Sequence, residues 1–230
     1  MKTKLILRIV LLSDATFGRG DGLAGIVDTE VEHDPRTGLP YIRGRTLKGL
    51  LVEECSNILF AYQQQKLEHL SDFEEAAEFL FGLAGSGLTG TSSMQVGPGL
   101  LPAKLSKEIA FELEKKPARL HPIDILESLT GIRHQTAMDD GSGAPDENSL
   151  RSVRVVLRNL EFESNLIFDQ TPNEYAYGLL AACVKGLHRG GSGRNRGRGR
   201  LQAFLWTPTH QDCTQDHYNF FKTIVIGREP

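Results

Sequence analysis

Cysteine is scarce and badly placed for cysteine chemistry: Cys55, Cys183 and Cys213 are far apart, and none sits in a C-x-x-C pair. That pattern supports neither a zinc site nor a disulfide framework, and it suits reduced thiols in a cytoplasmic protein. The seven histidines are dispersed without ligand spacing, and no serine or cysteine stands in a nucleophile elbow. The segment GLPYIRGRTLKG (38–49) holds glycine, arginine and lysine but lacks the spacing of a phosphate-binding P-loop, so a nucleotide hydrolase is not expected. Long hydrophobic runs are missing as well. KTKLILRIVLL (2–12) is short and interrupted by Lys4 and Arg8, so neither a signal peptide nor a membrane span is expected. A cationic excess is also absent: the net charge is −3, which argues against a uniformly basic nucleic-acid binder.

What is present is ordinary in amount and uneven in place. With 230 residues, 40% hydrophobic and 24% charged, the chain is expected to form one domain with insertions around a real core. Acids crowd at Glu74, Glu75 and Glu78, whereas Arg189, Arg194, Arg196, Arg198 and Arg200 fall in a segment with no acid. The stretch from Gly18 to Leu51 carries the densest mixture. A glycine-rich loop leads into Asp28, Glu30, Glu32 and Asp34, the chain turns through Pro35, Gly38 and Pro40, and Arg43, Arg45 and Lys48 mark a basic helix start. The unpaired N–H groups and dipole of a helix N-terminus favour phosphate there. One carboxylate of the acidic cluster, set beside a scissile phosphate, could position a 2′-hydroxyl, accept its proton or hold a divalent cation. A solvated acidic loop is the plainer reading of the same residues. The segment HRGGSGRNRGRGR (188–200) has glycines that let backbone N–H groups face phosphates and arginines that supply bidentate charge. A disordered linker is its plainer reading, and the strand that follows counts against that.

Hydrophobic periodicity places the elements. Residues 3–12 read as a central strand, and 13–33 as a loop. Leu47, Leu50, Leu51, Cys55, Ile58, Leu59 and Tyr62 recur at helical spacing over 46–63. Ser71 and Glu74 form a capping box for a second helix with Phe73, Ala76, Ala77, Leu80 and Phe81 inside and Gly82 at its end. An exposed loop at 83–93, a short strand within 93–102 and a helix at 104–116 follow. Residues 130–152 have turn chemistry between two arms able to pair. Strand patterning resumes at Val153, with Leu160, Phe162, Leu166 and Phe168 on one face. A helix with Pro172 at its first position buries Leu179, Leu180, Cys183, Val184 and Leu187, and Leu201–Trp206 is a last strand. The element order fits an α+β, ferredoxin-like domain with insertions.

The run DPRTGLPYIRGRTLKGLL (34–51) resembles the signature of the RAMP superfamily, which builds the RNA-binding backbone of CRISPR effector complexes. It is most similar to the backbone subunit of type III complexes, in which an aspartate stands six residues before the Asp-Pro pair; here that aspartate is Asp28. A second match lies far away, in the family's glycine-rich loop, at Gly191, Gly193, Arg194, Arg196, Gly197, Gly199 and Arg200. The resemblance implies a single ferredoxin-like (RRM-type) palm over residues 1–230, a thumb-like hairpin inserted at about 130–152 and a glycine- and arginine-rich loop at 189–200. It implies guide-RNA contacts at Arg43, Arg45, Thr46 and Lys48 and at Arg194, Arg196, Arg198 and Arg200, mainly to phosphate and ribose and so independent of guide sequence. The first loop would contribute Arg19 and Phe17, which stacks where relatives carry a histidine. The thumb would contribute Arg133 and Met138, the latter as a flexible wedge between bases. Asp28 is the implied cleavage aspartate and the one named candidate ligand for a divalent cation, Mg²⁺, with Glu30 and Glu32 as conceivable support. The implied partners are guide RNA, target RNA and other CRISPR effector subunits, further RAMP subunits among them, with no membrane. Two rivals stand beside an RNA endonuclease: a structural RNA-binding subunit that does not cut, and a stand-alone guide-processing nuclease, against which Phe17 speaks.

Overall fold

A computed structural model of the chain describes residues 2–227 apart from 21, 23–26, 83–90, 116, 118, 137–140 and 142–149. The loop expected at 83–93 and the tip of the hairpin, Met138 included, therefore lie largely outside the described residues.

The first strand, β1 (Thr3–Leu11), buries Leu5, Leu7, Ile9 and Leu11 and turns Lys4, Ile6, Arg8 and Val10 the other way, as an extended chain must. It is central. β5 (Glu161–Phe168) and β6 (Leu201–Trp206) flank it, both antiparallel, with Ile9 opposite Phe162 on one side and Ala203 on the other. The short β2 (Met94–Val96) closes the far edge against β5, giving the order β2-β5-β1-β6.

Four helices cover the buried face: α1 (Gly44–Gln65), α2 (Leu70–Phe81), α5 (Glu174–Gly186) and α6 (Thr214–Ile226). Leu47, Leu51, Phe73, Leu80, Leu179, Val184 and Phe221 meet Leu7, Ile9, Phe162, Phe168 and Leu205 in one core. Truncating a fully buried aromatic such as Phe162 to alanine is expected to cost roughly 3–5 kcal/mol, since transfer and cavity terms add. With the inserted elements set aside, the order strand, helix, strand, strand, helix, strand is the split-βαβ arrangement anticipated from the sequence. The cysteines are buried and free, and burial pushes the Cys183 thiol well above its usual range. Among the described residues no helix is long and apolar enough to cross a membrane.

Beyond the palm, α3 (Ala103–Glu114) buries none of its residues, and α4 (Pro122–Leu129), which the sequence reading missed, leads into a separate two-stranded ribbon. In that ribbon β3 (Thr130–Gln135) pairs antiparallel with β4 (Arg151–Val156), so the two arms of the expected thumb do pair at their base. Two local expectations need correction. α2 begins at Leu70, one residue ahead of the supposed cap, and its first turn is held by His69 Nδ1 against Asp72 Oδ2 at 2.9 Å instead of a Ser71–Glu74 box. Pro172 precedes α5 without entering it; the cap is Asn173, whose side-chain oxygen accepts the Ala176 N–H at 2.8 Å. The C-terminal tail, for which the sequence offered no assignment, is α6.

Candidate nucleic-acid interface and carboxylate site

The acidic segment is not one solvated patch. Glu30 is 2% exposed, and both its oxygens meet Arg154 Nε, at 2.9 and 3.1 Å, while Oε1 also accepts the Val31 N–H. Arg154 in turn donates from Nη1 to Thr130 Oγ1 at 3.2 Å. This buried, hydrogen-bonded pair fastens the first loop to the hairpin base. Glu32, 4% exposed, is in ionic contact with Arg43, although Oε1 lacks hydrogen-bonding alignment; Oε2 accepts the Tyr41 hydroxyl at 2.8 Å. That carboxylate, accepting its proton, pushes the Tyr41 hydroxyl above its ordinary pKa. Asp34 takes both Arg36 Nε and Nη2, and this side-chain bond lowers its carboxyl. Glu30 and Glu32 are thus spent on arginines and do not support a metal, contrary to the expectation above: a buried carboxylate must be matched on folding.

Asp28 differs from all three. It is exposed, and its carboxylate has no cationic partner among the described residues. Its Oδ2 accepts the Ser152 N–H at 2.7 Å, and its own N–H donates to Ser152 O at 2.8 Å. The carboxylate is thereby fixed at the root of β4. Side chains alternate along this extended stretch: Thr29 faces a cleft together with Val153, whereas Asp28 and Glu30 meet Ser152 and Arg154 on the other side.

That cleft, about 460 Å³, is walled by the arginine loop and closed by Gln135 of β3. The loop is ordered by its glycines. Gly191 and Gly199 have φ of 83° and 70°, and a Cβ would stand 2.6 Å from Thr16 O at the first and 2.0 Å from Gly190 O at the second. Backbone bonds from Ser192 N to Thr16 O and from Gly199 N to Asp14 O, each 2.8 Å, tie the loop to the start of the first loop. A short 3-10 turn at Arg194–Arg196 carries its crest.

The expected RNA contacts differ in what holds them. Arg45, Arg196 and Arg200 are exposed and without an ion pair among the described residues. Three others are engaged. Arg194 grips Glu53 of α1 with two bonds of 2.8 Å, which raises its pKa and lowers that of Glu53. Arg133 holds Asp14 Oδ2 at 2.7 and 3.1 Å, and Arg43 holds Glu32. Arg198 leans on the neutral Gln135 amide at 2.8 Å. Thr46 and Lys48 are half-buried, and burial lowers the Lys48 ammonium pKa. Arg19 is exposed, with its N–H on Glu30 O at 2.9 Å. Phe17 corrects the sequence reading. At 4% exposure it is part of the core, packed in the cluster with Leu50 and Leu201, and its ring cannot stack on a base. The Arg194–Glu53 pair joins the two basic regions: Thr46 and Glu53 share one stripe of α1, about 10 Å apart along the axis.

Two residues of the site escaped the sequence reading, Ser152 and His134. They face each other across β3 and β4, with Ser152 Oγ and His134 Nδ1 3.0 Å apart. Neither stands in a motif, and only the strand register brings them beside Asp28.

The sequence profile of the RAMP superfamily matches residues 8–202. The chain belongs to the RAMP superfamily. The match takes in Asp28, the basic start of α1, the hairpin base and the arginine loop. No curated protein matches the sequence significantly. Among solved structures the fold is similar to a chain of the apo type III-B Cmr-beta complex, with TM-score 0.61, 12% identity and coverage of 88% of this chain and 97% of that one. A chain of type III-B Cmr-beta bound to cognate target RNA superposes with TM-score 0.60 at 11% identity, covering 93% and 98%. A chain of a type IV-B CRISPR complex gives 0.56 at 14% identity, covering 90% and 92%. At these identities the likeness is one of fold.

Proposed function

We propose that this RAMP protein is a backbone subunit of a type III CRISPR effector complex, that it holds guide RNA along the arginine loop and the start of α1, and that it cuts the paired target RNA at Asp28. The observation that carries the reading is the contrast within residues 28–34. Glu30, Glu32 and Asp34 are each matched to an arginine, and Asp28 alone of the four presents an exposed carboxylate with no cation among the described residues, held beside an arginine-walled cleft. A carboxylate kept next to a polyanion site raises the electrostatic cost of binding RNA, so chemistry accounts for it better than affinity does. The partners are then guide RNA, target RNA and other effector subunits, further RAMP subunits included, in the cytoplasm.

The reaction is attack of a ribose 2′-oxygen on the adjacent phosphate. Asp28 orients the 2′-hydroxyl and takes its proton, and the cationic loop on the far side of the strand fixes the RNA backbone so that the phosphate does not drift. Contacts to phosphate leave any guide sequence acceptable. Among the described residues no group of three or more His, Cys, Asp or Glu is arranged to hold a metal. The exposed Asp28 carboxylate is the single side chain here that would hold a divalent cation such as Mg²⁺, which is commonly bound by one or two carboxylates with substrate phosphates completing the shell. Bound there, such an ion would offset charge developing on the phosphate.

That same lack of a metal cluster favours a second reading, in which the subunit binds RNA without cutting it. Asp28→Asn separates the two. The amide oxygen still accepts the Ser152 N–H, but the charge is gone. Cleavage by the assembled complex should be lost while guide and target affinity hold. Cutting at the normal rate, in an assembly shown to bind target, makes the subunit structural.

A further inference from the structure

Cleavage by 2′-oxygen attack has two proton problems, one at the attacking oxygen and one at the leaving oxygen, and Asp28 answers only the first. We propose that His134 is the proton donor to the leaving 5′-oxygen, an assignment that rests on the cleavage reading above.

The geometry is a row of three residues across adjacent strands. Asp28 is bonded to Ser152 through both its N–H and its carboxylate, and Ser152 is directly opposite His134 in the ribbon. Side chains of 28, 152 and 134 lie on the same side, the one that also carries Glu30 and Arg154. With strands about 4.8 Å apart, the backbones of Asp28 and His134 are roughly 10 Å apart, a gap their side chains close from both ends onto one phosphodiester. The Ser152 hydroxyl engages Nδ1 at 3.0 Å, which orients the exposed ring and leaves Nε2 for substrate. Among the described residues the charged groups around the ring are few. Asp28 and the Glu30–Arg154 pair share its face, Arg154 being its diagonal neighbour on β4, whereas Arg151 and Arg133 point to the other face, where Asp14 holds Arg133 and Gln135 holds Arg198. Histidine is the side chain whose ordinary pKa lets it hold and give a proton near neutrality.

The step balances. The 2′-oxygen bonds to phosphorus as its proton passes to the Asp28 carboxylate. The bond from phosphorus to the 5′-oxygen breaks, and that oxygen takes the Nε2 proton of the His134 imidazolium. The fragments carry a 2′,3′-cyclic phosphate and a 5′-hydroxyl, and proton exchange with water restores both side chains.

The test uses the assembled complex with its guide and two matched RNA targets, one ordinary and one with sulfur replacing the bridging 5′-oxygen at the cut position. A thiolate leaves without needing a proton. His134→Ala and His134→Gln should both slow the ordinary target by about 100-fold or more and cut the sulfur-bearing target at the wild-type rate, with unchanged target affinity. Glutamine can keep the bond to Ser152 but cannot serve as the acid, so it separates proton transfer from positioning. Asp28→Asn should stay slow on both targets. Equal slowing of both targets by the His134 variants, no slowing of either, or a loss of target affinity in place of rate each overturns the assignment. If the wild-type complex cuts neither target, the cleavage reading itself falls and this assignment with it; if it cuts both and only the His134 result fails, the cleavage reading stands.

Discussion

The acidic segment at 28–34 and the arginine loop at 189–200 treat charge in opposite ways. In the first, Glu30 and Glu32 are buried and matched to Arg154 and Arg43, and Asp34 is matched to Arg36. In the second, Arg194 is paired with Glu53, but Arg196 and Arg200 stay exposed and unmatched among the described residues, and Arg198 rests on a neutral amide. Charges removed from water have to be satisfied inside the chain, whereas charges left in water cost little and remain available to a partner outside it. The first set therefore holds the loop, the helix start and the hairpin base together, and the second can serve a polyanion. Asp28 lies in the acidic segment but behaves like the second set.

The sharpest way to break that comparison is to replace Asp28 and Glu30 separately. Asp28→Asn should lower target cleavage by about 10²–10⁴-fold, the usual contribution of a positioned base, with thermal stability of the subunit nearly unchanged. Single-turnover cleavage and a melting curve on the same preparation check both halves. A Tm drop with retained cleavage would place Asp28 among the structural charges.

Glu30→Ala should do the reverse. It leaves Arg154 buried without its carboxylate, which costs about 3–5 kcal/mol, or a Tm lowered on the order of 10 °C for a chain of this size. Calorimetry of the subunit decides it; a Tm within a degree or two of wild type would mean the pair is not holding the hairpin base.

Next in size is the arginine loop. Replacing Arg196 and Arg200 with alanine should weaken binding to every guide alike and make the salt dependence shallower by roughly 1.4 log units per log unit of salt, about 0.7 for each single-strand phosphate that is no longer neutralised. Titrations at several salt concentrations with two unrelated guides measure this. A loss confined to one guide, or an unchanged slope, would return the loop to the class of inert linkers.

The smallest effect is expected at Glu53, whose carboxyl is lowered by Arg194. A depressed folded-state pKa contributes stability that is present above the unfolded value and lost as pH falls through the folded one. Glu53→Gln should therefore cost less than about 1 kcal/mol at neutral pH, because the pair is solvent-exposed, and nothing once pH drops below the carboxylate range. Melting curves at neutral and acid pH would show the two proteins converging; a gap that persists in acid would assign the effect to packing.

Much of this arrangement was legible locally. Alternation in residues 3–12 announced β1, helical spacing from Leu47 to Tyr62 announced α1, and the glycines and arginines of 188–200 announced a loop between a helix and a strand. Turn chemistry marked the hairpin arms, whereas Asp28 was singled out only by the family resemblance, as the aspartate six residues before an Asp-Pro pair. These signals are legible because each is carried by a few neighbouring residues whose backbone geometry imposes the period. Where the sequence misled, the deciding neighbour was distant. Phe17 looked like a stacking residue on a glycine-rich loop until Leu50 and Leu201 enclosed it. Glu30 resembled Asp28 until Arg154, 124 positions away, arrived beside it. Ser152 and His134 had no signal at all, since which residue of β4 stands beside Asp28, and which of β3 stands opposite it, depends on strand register. Period and propensity are properties of a stretch of chain; the partner of a charge is a property of the fold, and only the packed structure selects which carboxylate is neutralised and which is left to act.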